Sequence, residues 1–337
     1  MTSYIIRRLL LMVPTLLGMT FMLFAVVRFA PGLREAGQAN VVQGMMQSKQ
    51  AQKQEQMLVA QRLHLVDKNG HPISLPMQYL LWLKSTCEGH LGTSLEYPEP
   101  VLKLIEQRLP VTLTINLISM IVIYLVAVPG GLLAAVNRDR LFDRGYGLMS
   151  LALYSLPMIW VGSSLLGFFA NPEFFNWFPA AGLHATNTQS MDFFQYIGDY
   201  FYHITLPIVC STYAGFAFLS KQVRGSILDN LGQDYIRTAR AKGVKGSTVM
   251  LRHVFRNSLL TLITLTGMSL PGLLGGSVIV EQIFSIDGMG RLAYTATLAR
   301  DLPVIQTVAL IGSVLTLLSY LAVDICYAMA DPRVSYA

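Results

Sequence analysis

The feature that most constrains this chain is a set of six apolar stretches, each nearly free of charge. They lie at about 9–29, 110–136, 146–170, 204–220, 258–280 and 304–330. A bilayer core roughly 30 Å thick takes about 20 apolar residues in a helix, because hydrocarbon offers no partner to an open N–H or C=O. The second stretch carries no charge between Arg108 and Arg138; the fourth is short, and its helix is expected to continue past Lys221. Composition agrees. Hydrophobic residues make up 53% of the chain and charged residues 13%, against roughly 25% charged in a soluble domain. A soluble core of this size would lack the polar residues to cover it, so an ordinary soluble enzyme is excluded. The predicted fold class is an all-α membrane protein with about six transmembrane helices.

The net charge is +6, and its distribution identifies its cause. Lys and Arg gather in alternate connections: Arg7 and Arg8; Arg138, Arg140 and Arg144; then Lys221, Arg224, Arg237, Arg240, Lys242, Lys245, Arg252 and Arg256. The connection at 171–203 holds no Lys or Arg, only the acids Glu173, Asp192 and Asp199, and the next outer one has just Arg291 and Arg300 as basic residues. Basic loops face the cytoplasm, so both ends are predicted inside. The charge is therefore a topology signal, and a nucleic-acid partner is set aside. The apolar run Leu9–Val27 is followed by Arg28, Pro31 and Gly32 rather than a cleavage site, which predicts a retained signal anchor.

Three regions follow: 1–30 with the first span, an extracytoplasmic segment 31–108, and a core 109–337 with a long inner loop at about 221–257. The outer segment has a Gln-rich stretch, from Gln38 to Gln61, predicted as a polar helix, and a turn at Asn69-Gly70. Val101, Ile105 and Leu109 share one helical face, which suits either a helix along the membrane surface or a packed cap helix. Cys87, Cys210 and Cys326 are separate, with no CxxC. Disulfide, metal and redox roles are not expected.

The inner loop is the most informative segment. Asp234 is followed by Tyr235-Ile236-Arg237-Thr238-Ala239-Arg240-Ala241-Lys242-Gly243, and later by Arg252-His253-Val254-Phe255-Arg256-Asn257. It reads as a short helix, a glycine break and a second helix leading into the fifth span. Gly243 is suited to a positive φ that ends the first helix. Ala239 and Ala241 are small enough to let another surface approach. From charge alone, a solvated basic loop is the plainer reading.

This string resembles the cytoplasmic signature loop of ATP-binding-cassette (ABC) importer permeases, in its peptide-permease form. Further motifs are similar to the first-subunit (B-type) dipeptide and oligopeptide permeases. They are Tyr4-Ile5-Ile6-Arg7-Arg8-Leu9, Ala30-Pro31-Gly32, Gly92-Thr93-Ser94-Leu95, Leu109-Pro110-Val111-Thr112 and His203-Ile204-Thr205-Leu206-Pro207. Glu281-Gln282-Ile283-Phe284, Gly288-Met289-Gly290-Arg291, Arg300-Asp301-Leu302-Pro303-Val304 and Asp331-Pro332-Arg333 complete the set. The chain departs from the pattern with Arg237-Thr238-Ala239 where the general signature has Glu-Ala-Ala, Ser258 where a proline often follows, and His90 where an Asp is common.

The resemblance implies a type I ABC importer permease fold in a bacterial inner membrane. It implies that Asp234, Tyr235, Arg237, Thr238, Ala239, Arg240, Ala241, Lys242 and Gly243 form a coupling element docked on an ATPase. Expected partners are a second, homologous permease, one or two ABC ATPases, an extracytoplasmic binding protein and membrane lipid. The chain has no GxxxxGK[ST] loop, since Gly243-Val244-Lys245-Gly246-Ser247-Thr248 lacks the lysine after its second glycine. ATP and Mg are therefore expected on partner subunits, with no cofactor on this chain.

In the fifth span, Ser269, Pro271, Gly272, Gly275, Gly276 and Ser277 are candidates to line the pathway, and Gly272 and Gly276 form a small-xxx-small pair. Glu281 and Arg291 are candidates for an outer gate. Asp324, near the inner end of the sixth span, is expected in water or beside a base such as Arg7 or Arg8. Peptides are the expected substrate, with nickel or an oligosaccharide as the alternative. An intramembrane enzyme lacks HExxH and GxSxG motifs here. A channel or secondary transporter independent of ATP is the remaining rival.

Overall fold

The computed structural model describes residues 2–29, 57–67, 69–185 and 190–330. Most of the Gln-rich stretch and Asp331-Pro332-Arg333 lie outside them. Helices α1 (Thr2–Phe29), α2 (Leu75–Cys87), α3 (Val101–Val136) and α4 (Leu141–Ser155) come first. Helix α5 (Met158–Leu165) continues through a π-helical turn, Leu166–Ala170, and α6 (Phe193–Leu231) follows. Then come α7 (Asp234–Ala241), a π-helical stretch Val249–Phe255, and α8 (Arg256–Gly275). The chain ends with α9 (Val278–Ile283), α10 (Met289–Ala299) and α11 (Leu302–Ala330).

Among the described residues, five helical stretches are long and apolar enough to cross a membrane: Ile6–Phe29, Val101–Val136, Phe193–Leu231, Gly246–Ile283 and Leu302–Tyr327. The pair α4 and α5, bent by 93°, makes a sixth if it is one broken span. Apolar side chains stand exposed along these helices, including Leu10, Met22, Leu125 and Ile159, as a lipid solvent permits. Helix α6 does run on past Lys221, to Leu231.

Three boundaries differ from the sequence expectation, the first two for a backbone reason. The stretch 146–170 is not one straight helix. Leu156 is extended at ψ 129° before Pro157, the conformation a following proline favours. The stretch 258–280 breaks at Gly276, where φ is +71°, and the chain restarts as α9. The segment 100–109 is no separate surface helix: α3 runs unbroken for 36 residues from Val101, about 54 Å at 1.5 Å per residue. Val101, Leu104 and Ile105 are buried rather than turned to headgroups.

Internal contacts divide the chain into two units. The first comprises Met1–Arg108 and Leu292–Leu317. In it, the rings of Phe24, Tyr79 and Trp82 bring α2 onto α1, with centroids 5.5–6.1 Å apart, and Tyr79 Oη lies 3.0 Å from Thr20 Oγ1. Its polar knot is Asp301, fully buried just before α11. The Asp301 carboxylate accepts from the Ser94 hydroxyl and from the N–H groups of Leu95 (3.0 Å) and Glu96 (3.2 Å). Hydrogen bonds to a charged acceptor are the stronger kind, and a carboxylate suits a helix N-terminus.

The second unit comprises Leu109–Arg291 and Leu318–Ala337. It has two apolar clusters. One joins Ala127, Val223 and Ile227 to Ile236, Val249, Val254 and Leu262. The other joins Ile115, Ile204, Cys210, Val280, Phe284 and Ile286. Helices α8 and α11 approach closely at Gly267, where an added Cβ would strike Val323. The closest small-residue contact is thus there and not at Gly272, which has open space around it. Asp324 lies half-buried on α11.

Candidate translocation cavity and coupling helix

Helix α7 has two unlike faces. Ile236 and Ala239, three residues apart, are buried at 1% and 8% exposure and belong to the cluster shared with α6, α8 and the π-helical stretch. Asp234, Tyr235, Arg237, Thr238, Arg240, Ala241, Lys242 and Gly243 are exposed. The expectation that Ala239 and Ala241 together meet a partner therefore needs correcting. Ala239 lies in the protein's own core, because the i, i+3 pair with Ile236 forms the helix's apolar stripe. Ala241 is the small residue left on the outer side.

The start of α7 is fastened by Tyr235, whose hydroxyl donates to Asn230 Oδ1 at 2.7 Å. Its end is closed by Gly243, at φ +75°. The Gly243 N–H donates to Arg240 O and the Val244 N–H to Ala239 O. Arg237 and Asp234 pair at 3.4 Å with side chains 79% and 94% exposed; such a pair contributes little. The outer face is thus open and mostly cationic, on a helix anchored from beneath by Ile236 and Ala239.

A cavity of about 440 Å³ opens among α3, α5, α6 and α8 of the second unit. Four of the six fifth-span candidates line it: Ser269, Gly272, Gly276 and Ser277. Pro271 and Gly275 do not. No charged side chain is among its lining residues, which mix Met and Leu with Ser, Asn and Tyr. Asn116 was not singled out by sequence, although it is the one side-chain amide in the stretch 110–136. Its Nδ2 donates to the carbonyls of Gly272 (3.2 Å) and Leu273 (2.9 Å). These belong to the last turn of α8, whose carbonyls have no partner within the helix. Tyr124 Oη, also on the wall, lies 2.6 Å from Thr266 Oγ1.

Glu281 and Arg291 meet, though not as a pair of side chains across the cavity, and neither lines it. Glu281 is 4% exposed. Its Oε2 accepts from the Arg291 backbone N–H at 2.7 Å and its Oε1 from the Thr112 hydroxyl at 3.0 Å. Thr112 in turn accepts from the Met289 N–H at 2.8 Å. Gly276, Gly288 and Gly290 crowd this carboxylate so closely that a Cβ on any of them would collide with it or with adjacent backbone. The carboxylate closes the loop after α9 onto Thr112, about three turns into α3. His203, in another of the sequence motifs, lies beside Asp199 at 3.3 Å, and His184 reaches the same carboxylate at 3.0 Å.

Helices long and apolar enough to cross a membrane, a cavity without charged lining, and a short helix with an open, mostly cationic face are consistent with the permease component of a transporter. Comparison with known proteins identifies the family: the chain belongs to the binding-protein-dependent transport system inner membrane components, whose pattern it matches over residues 127–336. It is 37% identical over 337 residues to the oligopeptide transport system permease protein AppB of Bacillus subtilis, covering 100% of both chains. It is 33% identical to the inner membrane ABC transporter permease protein YejB of Escherichia coli O157:H7, covering 100% of this chain and 99% of that one. Its fold is similar to a solved chain of the MetNI methionine ABC transporter in inward-facing conformations. That match has TM-score 0.54 and 18% identity, and covers 70% of this chain and 100% of the other.

Proposed function

We propose that this chain is one permease subunit of an ABC importer for peptides, with both termini in the cytoplasm. The observation that carries the reading is α7: a helix with its apolar stripe sunk in the core and its other face open, ended by a glycine at φ +75°. Such a helix transmits force without flexing. In this reading its exposed residues dock on an ATPase subunit that binds ATP and Mg. Closure of two ATPases moves α7, and the shared cluster passes the motion to α6 and α8. The cavity then opens in turn to each side, together with a second permease subunit.

Peptide as substrate rests on likeness to the oligopeptide permease of Bacillus subtilis over the whole chain. A wall of amide, hydroxyl and thioether groups without charge suits passage of varied side chains with weak binding. Recognition then falls to the extracytoplasmic binding protein. Two measurements test the proposal. ATPase chains are expected to co-purify with the permease. Calorimetry on the cognate binding protein is expected to show tight binding of short peptides; binding of nickel or a sugar, and no peptide, refutes the substrate.

A further inference from the structure

Next to the translocation cavity, with which it shares Phe218, lies a groove that the transport reading does not use. On the second unit, a groove made of two adjoining pockets of about 490 and 370 Å³, which share Ser150, Leu151 and Lys221, runs along the packed helices α4 and α6. The groove changes character along its length. Arg144 stands at one end, beside Asp139, Asp143 and Arg224, and Lys221 stands where the two pockets meet; neither cation has an acidic partner among the described residues. The carboxylates nearby are already engaged: Asp143 holds Arg224 at 2.5 and 2.7 Å, and Asp139 pairs with Arg138 at 3.3 Å. The other end is mainly apolar, with Tyr154 and Phe218 exposed beside Gln222, and Leu151 is exposed where the pockets meet.

Between the ends lies Ser150, 5% exposed, whose buried hydroxyl has no hydrogen-bond partner. Beside it, a Cβ on Gly147 would meet nothing within 4 Å, so the floor is open. Two uncompensated cations, a hydroxyl lacking an acceptor, and an apolar trough in line with them complement an anionic amphiphile. We propose that this groove binds an anionic glycerophospholipid. The phosphate sits against Arg144 and Lys221, an ester carbonyl accepts from Ser150, and an acyl chain lies along Leu151, Tyr154 and Phe218. A soluble phosphate would leave the apolar half empty. The basic end also lies at the loops that the Lys and Arg distribution assigns to the cytoplasm, the leaflet face where anionic headgroups concentrate.

The test uses the assembled transporter in an uncharged detergent, titrated with phosphatidylglycerol or with phosphatidylcholine of the same chains, and bound lipid is counted by native mass spectrometry. Phosphatidylglycerol is expected to bind more tightly. The double variant Arg144→Gln, Lys221→Gln is expected to weaken its binding by roughly thirtyfold, from the usual contribution of a basic residue near an anionic headgroup. Gly147→Leu, which fills the floor, is expected to weaken it as well, and glycerol 3-phosphate is expected not to compete. Equal affinity for the two lipids, unchanged binding in the charge variant, or full competition by glycerol 3-phosphate overturns the proposal. So does a Leu148→Cys variant that cross-links to another subunit, since the groove is then covered by protein. If Gly147→Leu fails to assemble, the charge variant still decides.

Discussion

At Gly243 the chain adopts φ +75°, and nothing lies within 4 Å of the place a Cβ would take. A side chain there is opposed by the backbone alone, at a cost of about 1–2 kcal/mol. Gly243→Val is therefore predicted to distort the end of α7 while the spans still insert. ATP hydrolysis persists and peptide uptake falls; uptake coupled as in wild type contradicts the coupling role. Glu281 is the opposite case, a residue enclosed on all sides. Glu281→Ala removes the acceptor for Thr112 and for the Arg291 N–H, and each buried group left open costs about 1–3 kcal/mol. A clear loss of thermal stability in the purified complex is expected, and Glu281→Gln is expected to recover most of it. Gly243 was legible in sequence because a glycine after a short polar helix has one common use. The Glu281 knot was not, because its partners Thr112 and Met289 stand 169 and 177 residues from their acceptors. Sequence marked the motifs that contain Thr112, Glu281 and Arg291 without showing that they touch. The same holds for Ser94 and Asp301.

Among the elements, α7 separates two alanines that look alike in sequence. Ala241→Asp places a carboxylate on the open face and is predicted to weaken ATPase co-purification without lowering stability. Ala239→Asp places it in the core beside Ile236, where an unpaired charge costs on the order of several kcal/mol. Loss of stability is expected there before any question of docking arises. Equal effects at the two positions, measured by co-purification and thermal unfolding, contradict the observed orientation of α7. The elements also show where a hydropathy reading stops. Apolar runs located the spans, since burial in lipid depends on composition. They did not show the bend at Pro157 or the break at Gly276, because both are backbone events inside apolar sequence. Nor did they single out Asn116, whose role depends on the carbonyls released by that break.

For the whole molecule, the alternation of basic loops makes a prediction about sides. With both ends in the cytoplasm, Cys87 and a cysteine placed at Ser190 react with an impermeant thiol reagent in intact cells, or in spheroplasts if an outer membrane intervenes. A cysteine placed at Ser247 does not. The labelling is carried out without other reactive cysteines, and reaction at 247 but not at 190 inverts the topology. The central proposal concerns work rather than sides: that this chain moves its substrate only as a subunit driven by separate ATPases and fed by a binding protein. The most direct test is peptide uptake by proteoliposomes containing the purified complex. The account predicts uptake that requires ATP, the ATPase subunits and the binding protein together, and that fails when any one is omitted. Full uptake by this chain alone, without ATP, would contradict it.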